Sequence, residues 1–196
     1  MKRSRVTELH YITPVANLQS IMKRGILSHR RAETVSHESV ADEDVQDRRR
    51  GKRVPNGRML HEYVNVYFDA RNPMMYKRLS RRAELAVVRV VPSVLDIQGA
   101  VIADGNAASS GTRFDQSPEG LALLDEQRVF ADYWTHVDTW EHLERKRQRC
   151  AELLIPDRIP SDFLNGCYVC SAGAQRTCRN SFPEIEVVVN GRVFFT

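Results

Sequence analysis

Apolar and polar residues alternate in short runs along this chain, and these runs predict many short strands. The strongest run is residues 85–91, which is rich in β-branched residues and is followed by Pro92. Further strands are predicted at residues 8–12, 63–68, 94–95, 100–103 and 149–155. The end of the chain predicts a closing hairpin, in which residues 184–189 and 193–195 flank Asn190 and Gly191.

Helical periodicity occurs between these strands. Thr13 as N-cap and Pro14 at the first helical position predict a helix that ends at Gly25. Shorter helical segments are predicted at residues 73–79, 118–131 and 140–147. Residues 28–45 are polar without clear periodicity, so we expect a loop with room for one short helix. Many short strands with helices between them predict an α+β fold.

Length and composition indicate one domain over residues 1–196, because 42% hydrophobic residues in a chain of this size can bury one core. The net charge of +4 is modest, but cations cluster at residues 46–58 and 145–149. Clustered cations suit a polyanionic partner such as nucleic acid. No run of about 18 apolar residues occurs, and no apolar signal core follows the basic N-terminus, so we expect a cytoplasmic protein.

A basic run directly precedes the aromatic strand at residues 63–68. Residues 46–58 carry six cations against one acid, Asp47. Guanidinium groups bind phosphate or a base edge in two-point fashion, although such a run is also typical of a solvated loop. Asn65 within the strand, and polar residues after it, favour a binding cleft beside the basic run.

Glu152 is the strongest candidate for catalysis. It lies in the apolar run 151–155, where a carboxylate is costly unless it is paired or faces a cleft. A surface ion pair is the alternative interpretation. The six histidines have no metal-ligand spacing, and the chain has neither a glycine-rich phosphate loop nor a nucleophile elbow around a serine.

Four cysteines lie in the last quarter of the chain, at Cys150, Cys167, Cys170 and Cys178. Cys167 and Cys170 have the CxxC spacing of a zinc site, but Cys150 and Cys178 do not form a second pair. The spacing therefore favours reduced, partly buried thiols over structural zinc, and no metal is expected.

Several stretches, taken in order, resemble the DNA ADP-ribosyltransferase toxins of the DarT type, which are partnered by a macrodomain antitoxin. The most specific block is residues 60–76, LHEYVNVYFDARNPMMY. The other blocks are Tyr11-Ile12-Thr13 with Asn17, Gln46-Asp47-Arg48-Arg49, Asp104, Tyr133-Trp134 and residues 146–154. The resemblance covers about residues 9–155 and implies an ADP-ribosyltransferase fold, in which two facing β-sheets with peripheral helices enclose a central NAD cleft.

The resemblance also implies roles for individual residues. Glu152 matches the catalytic glutamate, and Arg48 matches the essential arginine. The family usually has His-Ile-Thr on its first strand, but Tyr11 stands at the matching histidine position, and His10 should point to the opposite face. The residues implied for NAD are Tyr11, Thr13, Asn17, Tyr67, Phe68, Met74 and Tyr76. The residues implied for DNA are Arg49, Arg50, Lys52, Arg53, Tyr133, Trp134 and Arg147.

The implied function is transfer of ADP-ribose from NAD to a base of single-stranded DNA, thymine first and guanine second, by a monomeric toxin of a phage-defence system. Glu152 would stabilise the oxocarbenium-like sugar through the ribose 2′-OH, and Arg48 would favour the anionic base. Tyr133 and Trp134 would stack on neighbouring bases, or alternatively pack in the core. Two other functions stay open: an ADP-ribosyltransferase acting on RNA or protein, and an inert nucleic-acid-binding module. The presence of both Arg48 and Glu152 favours an enzyme.

Overall fold

The computed structural model describes residues 1–196, and eight of its ten strands form one mixed sheet. The strands are β1 Leu9–Pro14, β2 Ile26–Leu27, β3 Tyr63–Tyr67, β4 Leu85–Val90, β5 Val101–Ala103, β6 Phe114–Gln116, β7 Glu152–Pro156, β8 Arg158–Ile159, β9 Leu164–Val169 and β10 Val187–Val189. The order in the large sheet is β10-β9-β4-β1-β3-β7-β5-β6, and β2 pairs with β8 separately. The predicted α+β class is confirmed.

Strands β1 and β3 are neighbours over a very short length. β1 is in register with β4 along its whole length, and β3 is in register with β7 in the same way. Between β1 and β3, however, only His10 and Tyr67 are paired. The sheet therefore consists of two halves, β10-β9-β4-β1 and β3-β7-β5-β6, which separate beyond this pair. The separation opens a cleft of the kind expected from two facing sheets.

Seven α-helices flank the sheet. They are α1 Leu18–Arg24, α2 His29–Ala32, α3 Glu43–Arg50, α4 Pro73–Tyr76, α5 Glu126–Val129, α6 Thr139–Gln148 and α7 Ala172–Ser181. Side-chain caps set the starts of the helices near the cleft, because Asp42 accepts the Val45 N–H and Asp138 accepts the Glu141 N–H. Arginines fill the last turn of α3, where cations interact favourably with the helix dipole.

Strand alternation decides which face of the sheet each residue joins. Val64, Val66 and Phe68 belong to the largest buried cluster, on the face that packs against α1. Tyr67 and Glu152 are cross-strand partners and lie on the opposite face. A polar site can form on that face because the apolar core is concentrated on the other. No helix of the chain combines the length and hydrophobicity that crossing a membrane would require.

Some predicted element boundaries are wrong. The first helix begins at Leu18, because Thr13 and Pro14 stay in β1 as partners of β4. Residues 94–95 lie in a 3₁₀ turn, Pro92–Asp96. The helix predicted at residues 118–131 is divided, because Asp125 caps α5 as a separate helix. Residues 28–45 contain α2 and the start of α3, so the basic run ends a helix and is less loop-like than expected.

The predicted C-terminal hairpin is also wrong. β10 pairs in parallel with β9, and helix α7 makes the crossover between them. Neither β9 nor α7 was predicted, because the apolar residues of β9 are interrupted by Asn165 and Gly166. The four cysteines are free thiols, with Cys167 on β9 and Cys178 on α7 both buried. No three His, Cys, Asp or Glu side chains gather as metal ligands.

Glu8 ties three segments of the sheet together. Its carboxylate accepts hydrogen bonds from Tyr168 Oη at 2.6 Å and Arg89 Nε at 2.9 Å, and it lies 3.0 Å from His10 Nε2. Burial alone would raise the pKa of Glu8. The hydrogen bonds from His10, Tyr168 and Arg89 outweigh burial and lower this pKa from 4.5 to about 2.

This lowered pKa makes stability depend on acid pH. The lowered pKa of Glu8 corresponds to a contribution of about 3 kcal/mol to the free energy of unfolding above pH 4.5. Because the cluster is partly in contact with solvent, we expect about 1–2 kcal/mol. We expect Glu8→Gln to be less stable than wild type by that amount at pH 7. The difference should shrink as pH falls from about 4.5 toward 2, where wild-type Glu8 also becomes protonated. Urea unfolding across this range measures it, with Glu84→Gln, in an exposed pair with Arg81, as the control that should show no such trend.

Candidate active site

A cavity of about 470 Å³ lies where β1 and β3 separate. Residues 11–14 of β1 form one wall, and residues 63–65 with Tyr67 form another. Helix α3 and the preceding segment, residues 37–42, border it on a third side. The volume is typical of a small-molecule site.

Glu152, the first residue of β7, lies in this cavity with only 1% of its surface exposed. Arg49 NH1 donates to Glu152 Oε2 at 3.0 Å, and the Ala107 N–H donates to Glu152 Oε1 at 3.1 Å. A carboxylate has about four lone-pair sites. Glu152 is therefore held by two donors and can still accept a hydrogen bond from a ligand.

Arg49, rather than Arg48, is the arginine that contacts Glu152. Consecutive residues of a helix point about 100° apart, so only one of the two can face β7. Arg49 is 5% exposed, and its second terminal nitrogen, NH2, is buried without a hydrogen-bond partner in the protein. Arg48 is exposed at the rim of the cavity and forms no ion pair. The site thus contains one buried guanidinium with a free donor, beside the carboxylate.

The loop that supplies the Ala107 N–H is fastened by two cations. Lys52 Nζ donates to the carbonyl oxygen of Ser109. Arg147 NH1 donates to Asp104 Oδ1 at 2.6 Å, and the Arg147 carbonyl accepts the Asn106 N–H at 3.0 Å. Lys52 and Arg147, which were expected at DNA phosphates, therefore hold residues 104–109 against α3 and α6.

The pKa values around this loop follow from burial and pairing. Burial lowers the pKa of Lys52, while the nearby Glu152 charge opposes that effect. Burial would raise the pKa of Asp104, but hydrogen bonds from Arg147 and Arg113 outweigh it and lower this pKa. Asp104 consequently stays ionised and keeps its hold on Arg147.

Two other acidic groups near Glu152 are kept neutral. Burial, followed by the charge of Glu152, raises the pKa of Cys150 to about 12. The same two causes raise the pKa of Tyr67 well above its ordinary value. Cys150 and Tyr67 therefore add no negative charge at this end of the cavity.

Most residues expected at NAD lie around the cavity. Tyr11, Thr13, Asn17, Tyr67 and Met74 all line it. The Asn17 side chain exchanges two hydrogen bonds with the backbone of Glu38, one with the carbonyl at 2.8 Å and one with the N–H at 3.0 Å. Asn17 therefore fastens the segment at residues 37–42 over the cavity. His10 does not line the cavity and instead contacts Glu8.

Two residues expected at NAD lie elsewhere. Phe68 is buried in the main core, because it follows Tyr67 and so points to the other face of the sheet. Tyr76 is 55% exposed outside the cavity, where its ring packs edge-on against Trp134 and Phe195.

The remaining residues expected at DNA do not line the cavity. Arg50 is exposed and pairs with Asp47 at 3.3 Å, and Arg53 donates to the Gly57 carbonyl at 2.8 Å. Tyr133 is exposed. Trp134 is half-buried, with its ring centroid 5.7 Å from Tyr76 and 6.2 Å from Phe195. The core-packing alternative therefore fits Trp134 better than Tyr133.

The sequence interpretation missed several groups at the site. Ala107 contributes a backbone N–H, which no side-chain pattern reveals. Lys77, Arg78, Leu143 and Lys146 line the cavity as well, but they lie far apart in sequence. A signal for Arg49 did exist. Asp42, with acids after it and arginines six to eight residues later, is typical of a capped helix, and adjacent arginines on a helix point in different directions.

Comparison with known proteins gives a consistent result. A family model described as ssDNA thymidine ADP-ribosyltransferase, DarT, matches residues 10–195. A DNA ADP-ribosyl transferase of Thermus sp. (strain 2.9) is 32% identical over 173 residues, which are 82% of this chain and 80% of that protein. Its structure, in complex with ADP-ribosylated ssDNA, has a TM-score of 0.82 at 25% identity and covers 96% of both chains.

A second relative is longer. A DNA ADP-ribosyl transferase-DNA ADP-ribosyl glycohydrolase fusion protein of Thermosipho africanus is 33% identical over 171 residues, or 84% of this chain. The match covers 43% of the fusion protein, so this chain corresponds to less than half of its length. The structure of Thermosipho africanus DarTG in complex with ADP-ribose has a TM-score of 0.85 at 28% identity, covering 96% of this chain and 51% of that chain.

The pair of Arg49 and Glu152 can be tested by unfolding. Arg49→Met would leave the Glu152 charge buried and unpaired, so we expect a loss of about 3–5 kcal/mol in the free energy of unfolding. Arg48→Met should change it by less than about 0.5 kcal/mol, because Arg48 is exposed. The double variant Arg49→Met/Glu152→Gln should be more stable than the sum of the single effects by at least about 1 kcal/mol. Additive effects in urea denaturation would contradict the pairing.

Proposed function

The chain belongs to the DarT family, and from this premise we propose that it transfers ADP-ribose from NAD to a thymine base of single-stranded DNA. The observation that carries the proposal is the buried carboxylate of Glu152, held by Arg49 and the Ala107 N–H inside a cavity of about 470 Å³. Such a carboxylate is costly to bury and is typical of a catalytic site.

Glu152 has two tasks in the proposed reaction. The bond between the ribose and nicotinamide breaks through an oxocarbenium-like transition state, which a nearby carboxylate stabilises. Glu152 would accept a hydrogen bond from the ribose 2′-OH on one of its remaining lone pairs. It would then accept the proton that the base loses. Nicotinamide leaves, the ribose carbon bonds to the base nitrogen, and one proton is released to solvent.

Arg49 takes the role that the resemblance placed at Arg48. The ring nitrogen of thymine between the two carbonyl groups is protonated at neutral pH, and its anion spreads charge onto both carbonyl oxygens. The free NH2 group of Arg49 would donate to one of these oxygens and favour the anion, since a nearby cation lowers an acidic pKa. Arg48, exposed and unpaired at the rim, would contact a phosphate instead.

We expect the substrate to be single-stranded because the reacting edge of the base must be accessible to Glu152. Base pairing in a duplex covers the edge of thymine that carries the reacting nitrogen. Glu152 is almost entirely buried, so the base must enter the cavity to reach it. A strand without a pairing partner can deliver the base without the cost of opening a duplex.

The biological setting is proposed by analogy with the relatives. The Thermosipho relative joins a DNA ADP-ribosyl transferase to a DNA ADP-ribosyl glycohydrolase. We propose that this chain is the toxin of such a pair and that a macrodomain antitoxin removes its modification. The cytoplasm would supply both NAD and DNA, so we place the protein there.

The reaction can be tested by mass spectrometry. Wild type, incubated with NAD and mixed-sequence oligonucleotides, should add one ADP-ribose to single-stranded DNA. Glu152→Gln should lower the rate at least about a hundredfold, as removal of one stabilising group typically does. Arg49→Lys should fall comparably because it loses the planar fork. Arg48→Lys should stay within about tenfold of wild type.

Duplex DNA, RNA and a protein mixture serve as alternative acceptors in the same experiment. An adduct on RNA or protein alone would replace the proposed substrate. NAD binding without an adduct on any acceptor would favour the inert-module alternative. Equal losses in Arg48→Lys and Arg49→Lys would return Arg48 to the reacting base.

A second test concerns Lys52, which was expected to bind DNA but instead contacts the Ser109 carbonyl. If a lysine is bound to a DNA phosphate, removing it should make the negative slope of log affinity against log salt shallower by about 0.7. Because Lys52 instead fastens the Ser109 carbonyl, we expect Lys52→Met to leave this slope unchanged and to lower kcat about tenfold or more by displacing the support of Glu152. Arg48→Met, the matched exposed variant, should change the slope with little effect on kcat.

A further inference from the structure

We propose that one exposed face of α6, formed by Trp140, Leu143 and Lys146, binds the nucleotides that flank the target base. This face is called the α6 track below. The inference rests on the proposed DNA reaction and adds a binding surface outside the cavity, together with the minimum length of strand that can reach it.

The α6 track is continuous with the active site. Residues three apart on a helix lie on one face, so Trp140, Leu143 and Lys146 follow one another along α6. Leu143 and Lys146 both line the cavity. Trp140 is not part of the cavity lining; it lies in the first turn of α6, and 82% of its surface is exposed. The track therefore leads from open solvent to the reacting carboxylate.

The other face of α6 is already anchored. Glu141 pairs with Arg128 of α5 at 2.6 Å, which fastens α6 to α5, and it also accepts a hydrogen bond from Arg145 of its own helix at 2.9 Å. The Asp138 cap fixes the start of the helix. The Trp140 side chain, in contrast, takes part in no hydrogen bond, aromatic pair or cation–π contact. It is an indole held on a rigid helix with its surface open to a ligand.

Trp140 is also better placed than Trp134 to stack on a DNA base. The Trp134 ring is occupied by edge contacts with Tyr76 and Phe195. Leu143, 51% exposed, adds apolar surface beside Trp140. Lys146 forms no ion pair and supplies a cation where the track meets the cavity. Aromatic and apolar surface combined with a cation is the composition of single-strand binding sites, in which bases stack and the phosphate backbone is neutralised.

The length of the α6 track sets the number of nucleotides between the target base and the base that meets Trp140. Six residues of helix separate Trp140 from Lys146, or about 9 Å along the axis. A stacked strand advances about 3.4 Å per nucleotide. Because the target base lies deeper in the cavity than Lys146, Trp140 should meet a base at least two or three nucleotides from the target, on one side of it.

The experiment compares Trp140→Ala with wild type on oligonucleotides that extend the target by zero to five nucleotides on either side. We expect the variant to raise KM for DNA about fivefold or more once the strand extends at least two or three nucleotides on one side, with kcat little changed. This penalty should be absent for shorter strands, which cannot reach Trp140. Trp140→Phe should restore most of the affinity because it keeps an aromatic face.

Val189→Ser, an exposed apolar position on β10, is the matched control and should not change KM at any length. Fluorescence in a Trp134→Phe background reports on Trp140 directly, and long oligonucleotides should quench it with or without turnover. That readout separates the track from the reaction, because binding can be seen even if no adduct forms. Unchanged KM at every length together with unquenched fluorescence would overturn the proposal.

Discussion

Burial of the Glu152 carboxylate is the constraint on which the site depends. An ionised carboxylate in a protein interior is strongly unfavourable unless charge and hydrogen bonds compensate for lost hydration. Here Arg49 and the Ala107 N–H supply that compensation from α3 and from the loop after β5. Two segments distant in sequence must therefore meet beside β7, and Lys52 and Arg147 hold the loop in place. Some cations of the basic clusters, such as Arg49, Lys52 and Arg147, therefore support the site, whereas Arg48 and Arg50 are exposed.

The division of the sheet makes this arrangement accessible to a ligand. Because β1 and β3 share one residue pair, the cleft opens without breaking either half of the sheet. The cavity is lined from both faces of the sheet, because Tyr11 packs against the largest apolar cluster and Tyr67 against a smaller one. Segment 37–42, held by Asn17, and helix α6 border the same opening from two sides.

Much of the site was predictable, and the errors have clear causes. Glu152 was identified because a lone acid in an apolar strand needs an explanation, and the structure places it in the cavity. Arg48 and Arg49 could not be distinguished while residues 46–50 were treated as a loop. Phe68 was expected at NAD because the Tyr67-Phe68 block resembles the family, although strand alternation places the two side chains on opposite faces. The parallel pairing of β10 with β9 was missed because Asn190-Gly191 is typical of a hairpin.

The sequence by itself determined what depends on local pattern: the α+β class, the main strands, the charged helix α6 and the acid in β7. Strand and helix periodicity are properties of neighbouring residues, so they can be seen without coordinates. Only the tertiary structure decided which arginine meets Glu152, which backbone N–H supports it, and whether Lys52 and Arg147 face solvent or the loop at residues 104–109. Those outcomes depend on contacts between segments about 40 to 100 residues apart, and the energy of burying a charge is set by its neighbours in space.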